Sequence, residues 1–501
     1  MLYLGLDSGT QSTKCVALDA ASGEIVASAS VAYGLIAGLP PGHAEQAPET
    51  WQEAADSAVR EVLARLGAER RKEVRGIGVS GQQHGLVVLN EAGEPVRPAK
   101  LWCDTSTTAQ CEQFNAEFGG ADEIIALTGN TMLPGYTAPK ILWLKQNEPA
   151  NWAATRTILL PHDYLNFWLT GEKRMEYGDA SGTALLDVRT RAWSQPILDF
   201  INTGVHEKLP PLGSSRKPCG LLRDSLAKEW GLRGTVLVSA GGGDNMMGAI
   251  GTGNVAPGGC MTASLGTSGT LYAYSAEPVV DENGEVAAFC DSTDAWLPLA
   301  CTMNVTVATE AVRKLFGYDH GALDAAVAGV PPGAGGLLFL PYLNGERTPN
   351  LPRGSGVLHG MTTANMEPGN IARAVMEGVT LGLAYGLARF RALGVKPTEI
   401  RLTGGGSHSA AWRQICADVF NLPVVGLATA EGAALGAAVQ AAWTERTMNG
   451  ASTLLRDLTA HCVRIDKATR AEPVAGRKSL YAELLSRQTD LTRRLHSSGF
   501  L

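Results

Sequence analysis

This sequence of 501 residues lacks an excess of basic residues, closely spaced cysteine pairs and long apolar runs. Lysine and arginine number 42 against 49 aspartates and glutamates, which gives a formal net charge of -7. We therefore expect no nucleic-acid or membrane partner, because such partners require a clustered basic face. No stretch reaches the roughly 20 apolar residues of a membrane span. The N-terminus shows no basic segment followed by an apolar one, so we expect no signal peptide.

The nine cysteines are scattered from Cys15 to Cys462 and include no Cys-x-x-Cys pair. This pattern argues against a structural zinc site and a disulfide framework, and it suits a reducing cytoplasm. The nine histidines show no His-Glu-x-x-His spacing, which argues against a metalloenzyme. What is present is an ordinary globular composition, with 45% hydrophobic and 18% charged residues, in a chain long enough for two domains.

Two similar hairpins open the two halves of the chain. Predicted strands at 2–7 and 15–18 flank one Gly-Thr turn, and predicted strands at 261–265 and 270–274 flank another. We interpret the pair as a trace of duplication. Helical patterns at 48–66, 370–393 and 431–443 alternate with strands, which predicts α/β layers with a mixed sheet. We place the boundary in the glycine-rich stretch 248–259, giving domains 1–250 and 251–501.

The turn of the first hairpin carries residues that suit phosphate groups. Glycine lets backbone N–H groups approach a phosphate, and hydroxyls and a lysine follow it. Asp7, at the strand end, could orient a water on nucleotide-bound Mg²⁺. A tight hairpin with a capping aspartate explains the same residues equally well. The candidate phosphate contacts are Gly9, Thr10, Gln11, Ser12, Thr13 and Lys14.

Two later turns are candidates for the rest of a nucleotide. Gly266-Thr267 repeats the first turn and could hold the opposite end of a triphosphate. Gly404-Gly405-Gly406-Ser407 follows a predicted strand at 400–403 and leaves bare backbone on which adenine could lie. The alternative for both segments is a plain turn without a ligand. The loop at 404–407 is not the Walker pattern, and no Gly-x-Gly-x-x-Gly follows the first strand.

Asp244 and Asn245 follow three glycines, Gly241 to Gly243, after a predicted strand at 236–240. Strand ends are where α/β sheets place ligands. A carboxylate there suits a general base that takes a proton from an alcohol during phosphoryl transfer. The alternative is an aspartate that only caps a turn.

A further group of polar side chains could hold a sugar. Gln83 and His84 follow a predicted strand at 74–80, and Trp102 and Asp104 lie shortly after them. Amide, imidazole and carboxylate groups hydrogen-bond hydroxyls, and an indole offers a face to C–H bonds. A lone loop histidine is usually structural, which is the alternative for His84.

Several long segments resemble the FGGY family of carbohydrate kinases, in order and over nearly the whole chain. The first family signature is similar to residues 135–147, which read Gly-Tyr-Thr-Ala-Pro-Lys-Ile-Leu-Trp-Leu-Lys-Gln-Asn. The second is similar to residues 356–361, with residues 370–371 and 374–377 at the matching distance. Other similar segments are 160–165, 242–245 and 341–349.

This resemblance implies an α/β fold of two actin-like (ribonuclease H-like) ATPase domains that flank a central cleft. It also implies ATP and Mg²⁺ as cofactors and transfer of the γ-phosphoryl group to the C5 hydroxyl of a ketopentose, D-xylulose first among them. Asp244 takes the place of the family's base. The sugar contacts fall on Gln83, His84, Trp102 and Asp104, with Asn245 beside the base. The nucleotide contacts fall on the three glycine turns at 9–14, 266–267 and 404–407.

There are three departures from the family pattern, and the two that border the sugar site, Gln83 and Cys103, leave the sugar open, whereas Gln11 borders the phosphate loop. Gln83 stands where many relatives have Met, Cys103 where many have Asn, and Gln11 where Ser or Thr is frequent. Alternatives are therefore a kinase for D-ribulose or another sugar or polyol, and a non-catalytic actin-like nucleotide-binding protein. The second alternative has no use for Asp244 or for Gln83 and His84. The sequence does not settle the oligomeric state, and a homodimer stays open.

Overall fold

The computed structural model describes residues 1–429 and 431–501, and the chain forms two compact units. Unit 1 consists of Met1–Ala256, Tyr274–Pro298 and Glu431–Val463. Unit 2 consists of Pro257–Ala273, Leu299–Ala430 and Arg464–Leu501. The predicted division of the chain into 1–250 and 251–501 stays a prediction. In three dimensions each unit is assembled from separate segments, because residues after 430 return to unit 1.

The strands of three or more residues are Leu2–Ser8 (β1), Ser12–Asp19 (β2), Glu24–Ala32 (β3), Val74–Gly81 (β4), Val87–Leu89 (β5), Thr157–Leu159 (β6), Cys260–Leu265 (β7), Gly269–Tyr272 (β8), Ala287–Cys290 (β9), Trp296–Thr302 (β10), Leu338–Pro341 (β11), Gly356–His359 (β12), Glu399–Thr403 (β13), Val424–Leu427 (β14) and Ile465–Ala471 (β15). The helices of seven or more residues are Pro48–Arg70 (α1), Thr108–Phe118 (α2), Ala121–Thr128 (α3), Thr137–Asn147 (α4), Pro161–Thr170 (α5), Gln195–Ile201 (α6), Asp224–Trp230 (α7), Asp244–Gly251 (α8), Thr306–Leu315 (α9), His320–Ala328 (α10), Pro368–Ala392 (α11), Ala410–Phe420 (α12), Gly432–Met448 (α13), Leu455–Cys462 (α14) and Arg477–Ser497 (α15).

Unit 1 contains a mixed sheet in which β4, β1, β2 and β3 are successive neighbours. β1 runs parallel to β4 and antiparallel to β2. The short strand Gly242–Gly243 pairs in parallel with the end of β4, at Ser80 and Gly81. Because parallel strands end at the same edge of a sheet, Asp7 and the residue after Gly243 both reach that edge. This edge carries the candidate site of unit 1.

The helix α13 packs directly on this sheet because glycines remove the side chains between them. A Cβ on Gly5 of β1 would overlap the carbonyl oxygen of Ala434. The same helix meets α8, where a Cβ on Gly436 would overlap the carbonyl oxygen of Met247. The small residues of α13 are therefore required by close backbone contact. A segment late in the chain thus completes the core of unit 1.

Unit 2 contains a second mixed sheet in which β8, β7, β13, β14 and β15 are successive neighbours, with residues 299–302 of β10 paired to β8. The antiparallel pair β7–β8 is the second predicted hairpin, and β7 is parallel to β13. The helix α11 is, within the part of the chain that the structure describes, long and apolar enough to cross a membrane. Most of its side chains are buried inside the protein, as in the core helix of a globular unit.

The predicted elements are largely confirmed. The helical patterns at 48–66, 370–393 and 431–443 correspond to α1, α11 and α13, and both hairpins form. The predicted strand at 236–240 was too long, since only Leu237–Val238 pairs as a strand there. Beyond it, the Ser239 backbone N–H still donates to the Ile77 carbonyl oxygen of β4 at 2.9 Å, while the Gly241 N–H donates to Gln440 Oε1 instead of a strand.

Candidate active site

The turn between β1 and β2 is held by glutamine side chains from other elements. Gln46 Nε2 donates to the Thr10 carbonyl oxygen at 2.7 Å, and Gln82 Nε2 donates to the Gly9 carbonyl oxygen at 3.4 Å. The Thr10 hydroxyl donates to Gln82 Oε1 at 3.1 Å and accepts from Trp102 Nε1 at 3.0 Å. The turn is therefore preorganised, and it brings a predicted phosphate residue into contact with a predicted sugar residue.

The other side chains of this turn have different partners. Thr13 is fully buried, and its hydroxyl donates to a serine hydroxyl of β1 at 3.1 Å. Lys14 Nζ lies 2.9 Å from Glu431 Oε2. Gln11 is exposed and Ser12 is half-buried. Thr13 thus supports the hairpin, and the charge of Lys14 is balanced within unit 1.

Asp7 lies at the end of β1, between its cross-strand neighbours Lys14 and Ser80. Its Oδ1 accepts a hydrogen bond from Ser80 Oγ at 2.7 Å. Burial raises the pKa of Asp7, although the Ser80 hydrogen bond and the charge of Lys14 oppose the rise. Asp7 is thus a carboxylate kept from bulk water, where a nearby cation would stabilise its charge.

Asp244 begins α8, and close packing explains the glycines before it. A Cβ on Gly243 would lie 2.6 Å from Gln83 Cγ. A Cβ on Gly242 would overlap Ser292 Oγ. Real Cβ atoms do not approach other atoms this closely. The turn passes between the Gln83 and Ser292 side chains, and only glycine leaves enough room at these two positions. The glycine run therefore places the Asp244 carboxylate next to the predicted sugar residues.

Hydrogen bonds through Asn245 connect the Asp244 side chain to Gln83, which with His84 forms the predicted sugar cluster. Asp244 Oδ1 accepts from Asn245 N at 2.8 Å and from Asn245 Nδ2 at 2.9 Å. Asn245 Nδ2 also donates to Gln83 Oε1 at 2.9 Å. Burial raises the pKa of Asp244 to about 7, and the negative charges of Asp7 and Asp179 add to the rise. A carboxylate with this pKa accepts protons more readily than an ordinary aspartate near neutral pH.

His84 has an unusual backbone conformation, with φ at 65°, and its side chain is buried. Its ring meets the edge of Tyr136, with 4.9 Å between ring centroids. Its carbonyl oxygen accepts from Lys140 Nζ at 2.8 Å, and the same ammonium donates to the Gly135 carbonyl oxygen at 2.6 Å. Positive φ is costly for a residue other than glycine. Lys140, from the first family-like signature, thus fixes the backbone that carries the predicted sugar contact.

The carboxylate of Asp104 is engaged within its own loop. It is fully buried, and its Oδ2 accepts from Ala44 N at 2.9 Å and Lys100 Nζ at 3.1 Å. His43, Glu45 and Asp104 have the spacing of a metal site. The Lys100 ammonium lies 3.1 to 3.2 Å from each of the three, so it supplies the cation there. The structure gives Asp104 a supporting role, and its direct sugar contact stays a prediction.

In unit 2 the two predicted nucleotide turns lie against each other. A Cβ on Gly404 would lie 2.9 Å from the backbone nitrogen of Gly266. Gly404 has φ at 79°, and its carbonyl oxygen accepts from Ser407 Oγ at 2.7 Å. A Cβ on Gly405 would have no neighbour within 4 Å. The structure therefore brings the turns at 266–267 and 404–407 together and leaves an open backbone face at Gly405.

Gln440 supports the glycine turn, and the sequence did not indicate this role. Gln440 of α13 is fully buried, and its Oε1 accepts from Gly241 N at 2.9 Å and from Ser239 Oγ at 2.7 Å. Its Nε2 donates back to the Gly241 carbonyl oxygen at 3.1 Å. The partners are 199 positions apart in the sequence. The only cue is a single amide in an otherwise apolar stretch of helix.

Comparison with known proteins gives one consistent result. A model of the N-terminal domain of the FGGY family of carbohydrate kinases matches residues 2–251, and one of the C-terminal domain matches residues 261–445. A xylulose kinase from Haemophilus influenzae is 41% identical over 94% of this chain and 95% of its own length. A xylulose kinase from Streptomyces rubiginosus is 38% identical over 97% of this chain and 98% of its own.

The fold comparison agrees. The crystal structure of a "xyloylose kinase" from Brucella ovis matches with a TM-score of 0.91 and 33% identity, covering 99% of this chain and 100% of the other. The predicted fold class, two α/β domains of the kind found in these kinases, is confirmed. So is the expectation of a carbohydrate kinase. The chain belongs to the FGGY family of carbohydrate kinases.

Proposed function

We propose that this chain catalyses the ATP-dependent phosphorylation of D-xylulose to D-xylulose 5-phosphate, with Asp244 as the general base. The observation that carries the proposal is the hydrogen-bonded series Asp244–Asn245–Gln83, which joins a carboxylate of raised pKa to the sugar-binding side chains. The choice of D-xylulose is supported by relatives named xylulose kinases over nearly the full length of the chain.

In the reaction, the Asp244 carboxylate takes the proton of the C5 hydroxyl as the oxygen attacks the γ-phosphorus of ATP. Its raised pKa makes it a better acceptor, because burial and the charge of Asp7 disfavour the ionised form. Asn245 donates two hydrogen bonds to Asp244 Oδ1, and we assign the proton transfer to the other carboxylate oxygen, Oδ2. Gln83 Nε2 is buried and has no hydrogen-bond partner among the described residues, so a sugar oxygen is its expected acceptor.

The chain offers suitable groups for ATP and for Mg²⁺. We assign the phosphate groups to the preorganised turn at 9–14, and the open backbone face at Gly405 suits adenine. Asp7, buried and beside Lys14, is a carboxylate whose charge a cation would stabilise, and we assign it to a water on Mg²⁺. The ion would supply neutralisation of phosphate charge.

The setting of the reaction follows from the same chemistry. Substrates are a small sugar and ATP, and we propose that the enzyme acts in the cytoplasm, where ATP is available and its nine cysteines stay reduced. The net charge of -7 argues against a nucleic-acid partner.

The proposal is tested by measuring ADP release with D-xylulose, D-ribulose, D-xylose, xylitol and glycerol in turn. We expect the highest kcat/KM with D-xylulose. A higher value with D-ribulose would support the alternative substrate. Failure of every sugar and polyol to stimulate ADP release would refute the kinase proposal.

A further inference from the structure

A buried histidine lies directly behind the turn that carries Asp244. His162 of α5 is fully buried, its Nδ1 lies 2.7 Å from Asp179 Oδ2, and its Nε2 lies 3.0 Å from Asp163 Oδ1. A Cβ on Gly241 would lie 3.0 Å from His162 Cδ2. The imidazole therefore supports the glycine turn from within the core, between two carboxylates.

Asp179 connects this histidine to the base. It lies in the short helical segment Tyr177–Ala180, and the Ser292 hydroxyl lies against both that segment and Gly242. Asp179 is fully buried, and its Oδ1 has no hydrogen-bond partner within residues 1–429 and 431–501. Its negative charge is one of those that raise the pKa of Asp244.

The charges around His162 favour its protonated form. Asp163 faces it from its own helix, and Asp179 and Glu176 face it from residues 175–180, while β4 and the glycine turn contribute no ionisable group there. Burial alone would lower the pKa of His162, but these carboxylates outweigh burial and raise it to about 9. An imidazolium paired with Asp179 is thus the state expected at neutral pH.

We propose that His162 and Asp179 are positioning residues for Asp244. Their buried ion pair holds the glycine turn, Gly241 to Gly243, and the negative charge of Asp179 makes Asp244 a stronger base. The inference rests on the proposed role of Asp244. A buried pair of this kind is not by itself evidence of stability, because burying charges is costly. Because this pair lies behind the turn that carries Asp244, we infer that it is kept for catalysis and not for stability.

The other charges near Asp244 are independent of the contribution that Asp179 makes to the pKa of Asp244. Asp7 reaches it from β1 and also raises its pKa, and Lys14 of β2 is paired with Glu431. Gln83 and Asn245 bear no charge, and His84 belongs to the sugar cluster. Removing Asp179 therefore changes one named charge while Asp7 and Lys14 stay in place.

The test uses Asp179→Asn, which removes that charge and keeps the shape. At a fixed saturating Mg²⁺ concentration, we expect the acidic limb of the kcat/KM profile to move to lower pH by about one unit. We also expect kcat to fall about 10-fold while KM for sugar and ATP stays within about twofold, because the base is weaker and less well held.

The matched control is Asp163→Asn, the same substitution on the other side of the same imidazole. It should leave the acidic limb in place. Histidine ¹³C NMR gives a readout besides activity, since the His162 signal, assigned by its loss in His162→Gln, should show an imidazolium at pH 7.

An unchanged acidic limb in a folded Asp179→Asn variant would overturn the inference, as would an equal shift in Asp163→Asn, which marks a merely structural cluster. A neutral His162 at pH 7 would overturn it independently of kinetics. Neither result bears on the proposed function, which the substrate panel and the Asp244→Ala variant test separately.

Discussion

At the scale of single residues, three side chains act on the Asp244 carboxylate, and two of them lie far from it in the sequence. Asn245 holds one of its oxygens, Asp7 adds a negative charge from β1, and Asp179 adds another from the core. The first is visible in the sequence, because Asn245 is its neighbour. The other two are not, because only the folded chain shows which carboxylates share a buried region. The sequence thus predicts Asp244 as the candidate base, but it could not predict the pKa of the Asp244 carboxyl group.

The raised pKa of Asp244 predicts the pH dependence of the reaction. A base must be ionised to accept a proton, so activity should be full above its pKa and fall as pH drops below it. With the pKa raised to about 7, we expect the acidic limb of kcat/KM for D-xylulose to have its midpoint near pH 7. Steady-state kinetics from pH 5 to 9 measure this, and an acidic limb near pH 4 would show an unperturbed carboxylate.

Removing the base tests its role directly. Asp244→Ala should lower kcat by about 10²–10⁴-fold, because one general base typically contributes that much. The fold should survive, since Asp244 is only half-buried and begins a helix rather than filling the core. Circular dichroism and thermal melting provide the control. A folded variant with nearly wild-type kcat would place the base elsewhere.

At the scale of elements, the glycines of α13 and β1 decide how closely the helix approaches the sheet. The sequence predicted α13 from its alanines and predicted β1 from its apolar run, yet it gave no sign that Gly5 packs against Ala434. Such contacts depend on pairing between distant segments, whereas periodicity reports only local structure. The same limit hid Gln440, whose amide fixes Gly241 from a helix late in the chain.

This close packing predicts a stability difference between two glycines of one helix. A Cβ on Gly436 would overlap the Met247 carbonyl oxygen, whereas one on Gly432 would have no neighbour within 4 Å. We expect Gly436→Ala to lower the free energy of unfolding by about 1–3 kcal/mol despite its better helix propensity. Gly432→Ala, the matched control, should be neutral or slightly stabilising. Urea denaturation measures both, and equal effects would contradict the helix contact.

At the scale of the whole molecule, the two compact units do not coincide with two halves of the sequence. The composition predicted two domains, and the motifs predicted which chemistry each half carries. The interleaving was not predictable, because it arises when residues 431–463 return to unit 1. The predicted turns at 9–14, 266–267 and 404–407 are each formed, since Gly-rich turns are specified locally.

The proposed reaction transfers the γ-phosphoryl group of ATP to the C5 hydroxyl of D-xylulose. The most direct measurement is ³¹P NMR of purified protein with ATP, Mg²⁺ and D-xylulose, followed by identification of the sugar phosphate. We expect equimolar ADP and D-xylulose 5-phosphate, and at most about 1% of that sugar phosphate with Asp244→Ala over the same time, because kcat falls by at least about 10²-fold. Release of inorganic phosphate without a sugar phosphate, or phosphorylation at a different hydroxyl, would contradict it.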